Sequence, residues 1–387
     1  MVVVMMRAIT LTLQRDGSSD AFFASKNLNL RFMKTIFKSI SLALLFVLPS
    51  FSISAEAQSY TDYNKRELLL HVLDQSRPND YIPVFFNIHF KDHEGWKAVQ
   101  SHIEWFRQTH VDFVNVKYEY FPVIQPVKDV KDWKTIKPFD NSVWDEQLLV
   151  VRELKRELGD EALIIPTVFS PLRVLIQTAG SQLSSDKEGR RKFVELIRKD
   201  PKAIRPALEA VTQSLVYYIR EARKAGADGF YISSQGDDLE EFGGGVFADI
   251  IKPYDIQLSQ VAAEVAPFNI LHICETGGTF TPETFNDYLD YPGSVVNPPL
   301  HNWKDKSLSL KDINKLFNRP VLGGLKQRGA LYTGTIEEAK AEVDAILQDA
   351  PANFIFGADD SLPNDSDPEK IRQLVDYIHI WRQTHKR

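Results

Sequence analysis

His272 and Cys274 stand two residues apart in Asn269-Ile-Leu-His-Ile-Cys274, a run of strand-forming residues. Side chains at i and i+2 of a strand leave it on the same face, so this imidazole and this thiol can reach one ion. Cys274 is the only cysteine of the chain, which rules out an internal disulfide. The plainer alternative is a hydrogen-bonded histidine beside a small apolar filler, the commoner fate of an isolated cysteine. Tyr231, Ser233 and Gln235 alternate along another strand-like run and point toward its carboxyl end, with Tyr231 and Gln235 the expected substrate contacts. Asn297 closes a further run, followed by His301 in a Pro-rich loop, and either can line a pocket. Gly323 and Gly324 allow close backbone approach to a ligand, and Lys326 and Arg328 follow as a local positive patch; a tight turn is the other reading. The sequence holds no HExxH motif and no Ser-His-Asp order.

These residues need a scaffold that brings several strand ends together. Eight short apolar runs supply candidates: 82–88, 112–118, 163–169, 228–233, 269–274, 294–297, 320–323 and 353–357. They are rich in Val, Ile and Phe with no polar alternation, the pattern of parallel strands buried on both faces. Helical stretches lie between them. One runs from an Asn cap at Asn141 to Leu158, and one from Pro206 to Lys224 ahead of Gly226. Thr335-Ile-Glu-Glu338 is a capping box, and Asp367-Pro-Glu opens the last helix with proline at its first position. Eight strands each followed by a helix predict a single-domain (β/α)8 barrel of the TIM type, whose site lies at the carboxyl ends of the strands. No Gly-rich phosphate fingerprint follows the first strand to favour an open doubly wound sheet. Gly243 to Gly245 follow a charged loop and read as a flexible turn.

Composition sets outer limits. Of 387 residues, 43% are hydrophobic and 25% charged, ordinary globular proportions. A net charge of −6 without a basic run argues against nucleic acid or an anionic membrane as main partner. Residues 33–57 read as a secretory signal: Lys34 and Lys38, an apolar stretch from Ser39 to Phe51, then Ala55-Glu-Ala57 as the cleavage pattern. That stretch is short for a transmembrane span, so a secreted or periplasmic protein without a membrane span is expected. Residues 1–32 are read as an upstream extension outside the fold, and 60–387 as the barrel domain.

Four segments in order carry a family resemblance: Ala225-Gly-Ala-Asp-Gly-Phe-Tyr231; Asn269 to Cys274; Val321-Leu-Gly-Gly-Leu325 with Gly334-Thr-Ile-Glu-Glu338; and Gly357-Ala-Asp-Asp-Ser-Leu-Pro363 with Asp367-Pro-Glu-Lys-Ile371. Together they resemble the uroporphyrinogen decarboxylase superfamily, which contains haem-pathway decarboxylases and zinc methyltransferases acting on corrinoid-bound methyl groups or thiols. The resemblance implies a TIM-like barrel, leaves the reaction open, and makes a homodimer and a corrinoid or tetrapyrrole partner natural expectations. A decarboxylase of this kind clamps its substrate with arginines after the first strand, where this chain has Ile88 and Asp92, with His89 and Lys91 as the remaining polar contacts. The catalytic carboxylate at the end of the second strand falls on Glu119, with Lys117 on the same face. The decarboxylase histidine near the last strand falls on Asp359. In the methyltransferase branch the resemblance implies a divalent metal, zinc favoured, on His272, Cys274 and Asp360, the last standing where relatives have cysteine. A carboxylate in place of a thiolate makes a harder site, able to activate water as well as a thiol. Three readings follow. The leading one is a metal-assisted methyl-transfer enzyme; the others are a decarboxylase of a smaller carboxylated substrate and an envelope protein that binds a corrinoid or tetrapyrrole without turnover.

Overall fold

The structure is a computed structural model and describes residues 64–385 apart from 77–79, 119–120, 122, 180–186, 236–240, 275–281 and 302–307. The upstream extension, the export signal and Glu119 lie outside the described residues.

Eight parallel strands follow one another in chain order: β1 (Val84–Phe85), β2 (Phe113–Val116), β3 (Leu163–Phe169), β4 (Gly229–Gln235), β5 (Phe268–Cys274), β6 (Val295–Asn297), β7 (Leu322–Leu325) and β8 (Ile355–Ala358). From β2 to β6 each strand pairs with the next, and β7 pairs with β8, which pairs with β1. A bridge between Val296 and Val321 joins β6 to β7. At the other seam Asp112 donates its N–H to the Val84 carbonyl at 2.9 Å. The strands thus form the ring of a (β/α)8 barrel, the architecture that uninterrupted apolar runs predict.

Ten α-helices of seven or more residues are present among the described residues: α1 (Lys65–His71), α2 (Gly95–Thr109), α3 (Asp145–Leu158), α4 (Pro171–Ala179), α5 (Lys187–Lys199), α6 (Arg205–Ala225), α7 (Lys252–Val265), α8 (Leu310–Phe317), α9 (Ile336–Leu347) and α10 (Pro368–His379). The predicted capping box closes on α9 from Thr335 and Glu338, and Asp367 caps α10 ahead of Pro368. The stretch from Asn141 begins as a 3-10 turn capped by Asp140 and becomes regular helix only at Asp145. The triple glycine is not a simple turn: Gly244–Val246 is helical and runs through a π-helical Phe247–Ile251 into α7.

The interior of the ring is apolar at its amino-terminal end. Phe85, Phe113, Leu163, Ile165, Phe268, Leu322 and Ile355 meet there, with Leu69 of α1 and the adjacent Val72. Charge anchors this plug. Lys65 donates to the carbonyls of His110 (2.5 Å) and Val111 (3.0 Å) and lies 3.4 Å from Asp112, while Arg66 pairs with Asp228 at 2.7 Å. Sealing that end leaves the carboxyl ends of the strands as the side where polar groups gather.

Candidate active site

His272 and Cys274 leave β5 on one face, as their spacing requires, and the end of β8 brings Asp360 to them. The Asp360 carboxylate lies 3.9 Å from His272 Nε2 through Oδ1 and 3.6 Å from Cys274 Sγ through Oδ2. One ligand atom from each of the three can be chosen so that all lie within 4.8 Å of one another. Tetrahedral zinc with bonds of about 2.0–2.3 Å sets its ligand atoms roughly 3.4–3.6 Å apart. The sulfur–oxygen and nitrogen–oxygen distances run to different Asp360 oxygens, so the three groups, now within 4.8 Å of one another, would draw together around an ion. The donor set of one nitrogen, one sulfur and one oxygen fits a divalent ion with a coordination position left for substrate.

The ring of His272 is locked from behind. Asn297, at the end of β6, donates its amide to the carbonyls of Leu322 (2.9 Å) and Ala358 (3.3 Å), so its own oxygen is committed as an acceptor. Tyr231 donates its hydroxyl to that oxygen at 2.5 Å, and His272 Nδ1 meets it at 2.8 Å. Nδ1 must therefore carry the hydrogen, which leaves the Nε2 lone pair facing Asp360. Burial pushes the imidazole below its ordinary pKa, against the pull of Asp360. Both features suit a ligand.

Burial alone would raise the Asp360 carboxyl. The charges of His272 and Lys117 and the Ser361 N–H, 2.6 Å from Oδ1, outweigh it and hold the group below its usual value as carboxylate. Lys117 follows β2 directly and is buried; it donates to Ser361 Oγ at 2.5 Å and lies 3.4 Å from His89 Nε2. His89 is exposed, and its backbone N–H is taken by Asn364. The Tyr231 hydroxyl is pushed well above its ordinary range by burial, then by Asp360 and Cys274, so it stays protonated and a donor.

Other anticipated residues fall elsewhere. Gln235 ends β4, where its amide donates to Ser233 Oγ at 3.2 Å. Asn297 is buried behind His272 rather than lining an open pocket. Gly323 and Gly324 lie inside β7, not beyond it, at φ +155 and +132. Side chains rarely adopt these positive φ values, and a Cβ would also stand 3.2 Å from Leu300 Cδ1 and Phe356 Cε2 respectively, so that those neighbours would have to shift. Reading single residues missed Ser361 and the pairing of His301 with Asp359, whose Oδ2 takes both the backbone N–H (3.1 Å) and Nδ1 (2.7 Å) of His301. The only sequence signal for either was adjacency to Asp360. The loops after β7 and β8 also enclose a cavity of about 160 Å³ that Asp360 helps to line.

Comparison with known proteins gives a consistent result. The uroporphyrinogen decarboxylase (URO-D) family profile matches residues 109–381. The uroporphyrinogen decarboxylases of Vesicomyosocius okutanii subsp. Calyptogena okutanii and Aquifex aeolicus are 24% and 21% identical, each over 66% of this chain and 70% of their own. A solved methyltransferase from Methanosarcina mazei superposes with a TM-score of 0.65 at 14% identity, over 83% of this chain and 99% of that one, a likeness of fold.

Proposed function

The chain belongs to the uroporphyrinogen decarboxylase family, and from that premise we propose that it is an exported enzyme catalysing metal-assisted methyl transfer to a thiol at the mouth of its barrel. The observation that carries this reading is the convergence of His272, Cys274 and Asp360, whose ligand atoms lie within 4.8 Å of one another. A decarboxylase of this family is less well supported, because Ile88 and Asp92 stand where arginines would clamp a polycarboxylate. The family's fold also serves a methyltransferase in Methanosarcina mazei. The expected methyl donor is a corrinoid, with a tetrapyrrole ligand the counterpart under the decarboxylase reading.

His272, Cys274 and Asp360 would hold the ion. When bound, a divalent metal lowers the pKa of a substrate thiol so that it reacts as thiolate. The chain's own groups do the rest. Asn297 and Tyr231 hold His272 in the tautomer that offers Nε2. Ser361 fixes one Asp360 oxygen. Lys117 supplies positive charge beside both Asp360 and His272. Glu119, two residues after Lys117, is assigned as the acid or base that moves the thiol proton. In the transfer itself a sulfur–carbon bond forms as the bond between the methyl carbon and its donor breaks.

Elemental analysis of protein purified without added metal tests the proposal. About one equivalent of zinc per chain is expected, and His272→Ala, Cys274→Ser and Asp360→Asn should each lower metal affinity by on the order of a hundredfold or more. A metal-free protein whose melting is unchanged by zinc or chelator would sink it. Export has its own check: mass spectrometry of protein recovered outside the cytoplasm should find a chain starting at Gln58, and a chain that retains residues 33–57 would remove that half.

A further inference from the structure

The flank formed by α6 and α7 carries an apolar groove of about 570 Å³. Val216 and Tyr217 of α6 and Val265 of α7, all half-buried, supply its apolar lining, and the exposed Gln213, Arg220 and Lys224 edge it. It lies on the carboxyl half of α6, which ends at Ala225 shortly before β4 begins. That places it toward the amino ends of the strands, away from His272, Cys274 and Asp360.

The outward stripe of α6 has a symmetry of its own. Val216 and Tyr217 stand at its centre; Gln213 and Arg220 lie three residues beyond this pair on either side, and Glu209 and Lys224 seven residues beyond it. Such spacings keep all six on one face of the helix, and the opposite face, with Leu208, Val211, Leu215 and Ile219, is buried. An apolar centre is thus flanked by a carboxylate at one end and an ammonium at the other, each about 11 Å away at about 1.5 Å per residue. Both charges are exposed, and their contacts are local: Glu209 accepts from the Gln213 amide at 3.2 Å, and Lys224 lies 2.6 Å from Glu221. Exposed pairs of this kind contribute little and exchange readily.

We propose that this groove seats a second copy of the chain, with the two α6 helices antiparallel across a two-fold axis between Val216 and Tyr217. An isologous contact requires a surface complementary to itself, and this stripe meets that condition. Turned about the axis, Glu209 faces Lys224 of the partner subunit, Gln213 faces Arg220 of the partner subunit, and the apolar pairs cover one another beside Val265. An acidic partner of another kind would suit Arg220, Arg223 and Lys224 but would be repelled by Glu209; a second copy satisfies both ends at once. A single helix face is a small contact beside the about 1,200–2,000 Å² of a stable interface, so the dimer is weak and reversible. The inference does not depend on the metal reading.

Sedimentation velocity on the purified protein from about 1 µM to about 1 mM tests it. A concentration-dependent monomer–dimer equilibrium is expected. Tyr217→Asp should weaken it about a hundredfold, because it buries a charge at the axis. Glu209→Lys or Lys224→Glu alone should weaken it about tenfold, since each turns two attractive pairs into repulsive ones. Combining the two should restore the parent affinity to within about threefold, because Lys at 209 again meets Glu at 224 across the axis. Circular dichroism confirms that each variant is folded. A chain that stays monomeric throughout, a dimer that none of these substitutions weakens, or a charge swap that fails to restore association overturns the proposal.

Discussion

At the scale of single residues, the candidate site depends on an amide set behind it. Asn297 sets which nitrogen of His272 is bare, because its oxygen is the only part of it not engaged as donor to Leu322 and Ala358. Asn297→Ala should therefore keep the fold and all three ligands yet weaken zinc binding by about 10–100-fold, the usual effect of losing an outer-shell partner. Competition with a chromophoric chelator measures this. Tyr231→Phe is the control, since it removes one hydrogen bond to the same oxygen and leaves the His272 contact intact; a loss there equal to that of Asn297→Ala would show that packing, not tautomer control, is at stake. The sequence made His272 and Cys274 legible because strand periodicity alone puts them on one face. Asp360 needed the family pattern, as 86 residues separate it from Cys274 and no local signal says which strand ends meet. The roles of Asn297 and Ser361 depend on which atoms of an amide and a backbone are already spoken for, and that information exists only in three dimensions.

At the scale of elements, strands were easier to read than the pieces that close the ring. Leu163 to Phe169 and Phe268 to Cys274 announce themselves because both faces are buried, in the interior and under helices. By contrast α1 is a short amphipathic helix lying before the part of the chain that matches the family. Nothing in its seven residues says that Leu69 fills the foot of the barrel or that Lys65 and Arg66 reach Asp112 and Asp228. Leu69 is fully buried among ring side chains. Leu69→Ala should lower unfolding stability by about 2–5 kcal/mol, the range for a buried leucine whose cavity cannot collapse. Chemical denaturation measures it, and a change below about 0.5 kcal/mol, typical of a surface position, would mean that α1 merely lies against the barrel. The glycines of β7 were misplaced for a related reason. Sequence shows that a side chain is absent, whereas the positive φ that favours its absence and the close approach of Leu300 and Phe356 exist only in the folded chain.

Across the whole molecule, two buried carboxyls pull the dependence of stability on pH in opposite directions. Asp112, at the foot of the barrel, is held near 2 although burial opposes it, because His379 and Lys65 lie beside it and Tyr81 and the Val84 N–H donate to it. Its contribution is complete above the unfolded-state pKa near 4 and is lost as pH falls through about 2. Asp255, on α7 behind β4, has the reverse environment. Burial raises it to about 7, with only Ser234 and Tyr291 donating to Oδ2, and Oδ1 has no partner. Between pH 4 and 7 the folded state thus holds a proton that the unfolded chain has released, so stability falls as pH rises. For one group shifted this far, linkage gives a loss of about 2–3 kcal/mol between pH 5 and pH 8. Asp255→Asn removes the ionisation and keeps an acceptor for Ser234 and Tyr291. The variant should match the parent at pH 5 and exceed it by about that amount at pH 8 in urea-unfolding measurements. Parallel curves for the two proteins across that interval would mean that Asp255 folds as a carboxylate, with a counter-charge reaching it from a neighbouring element.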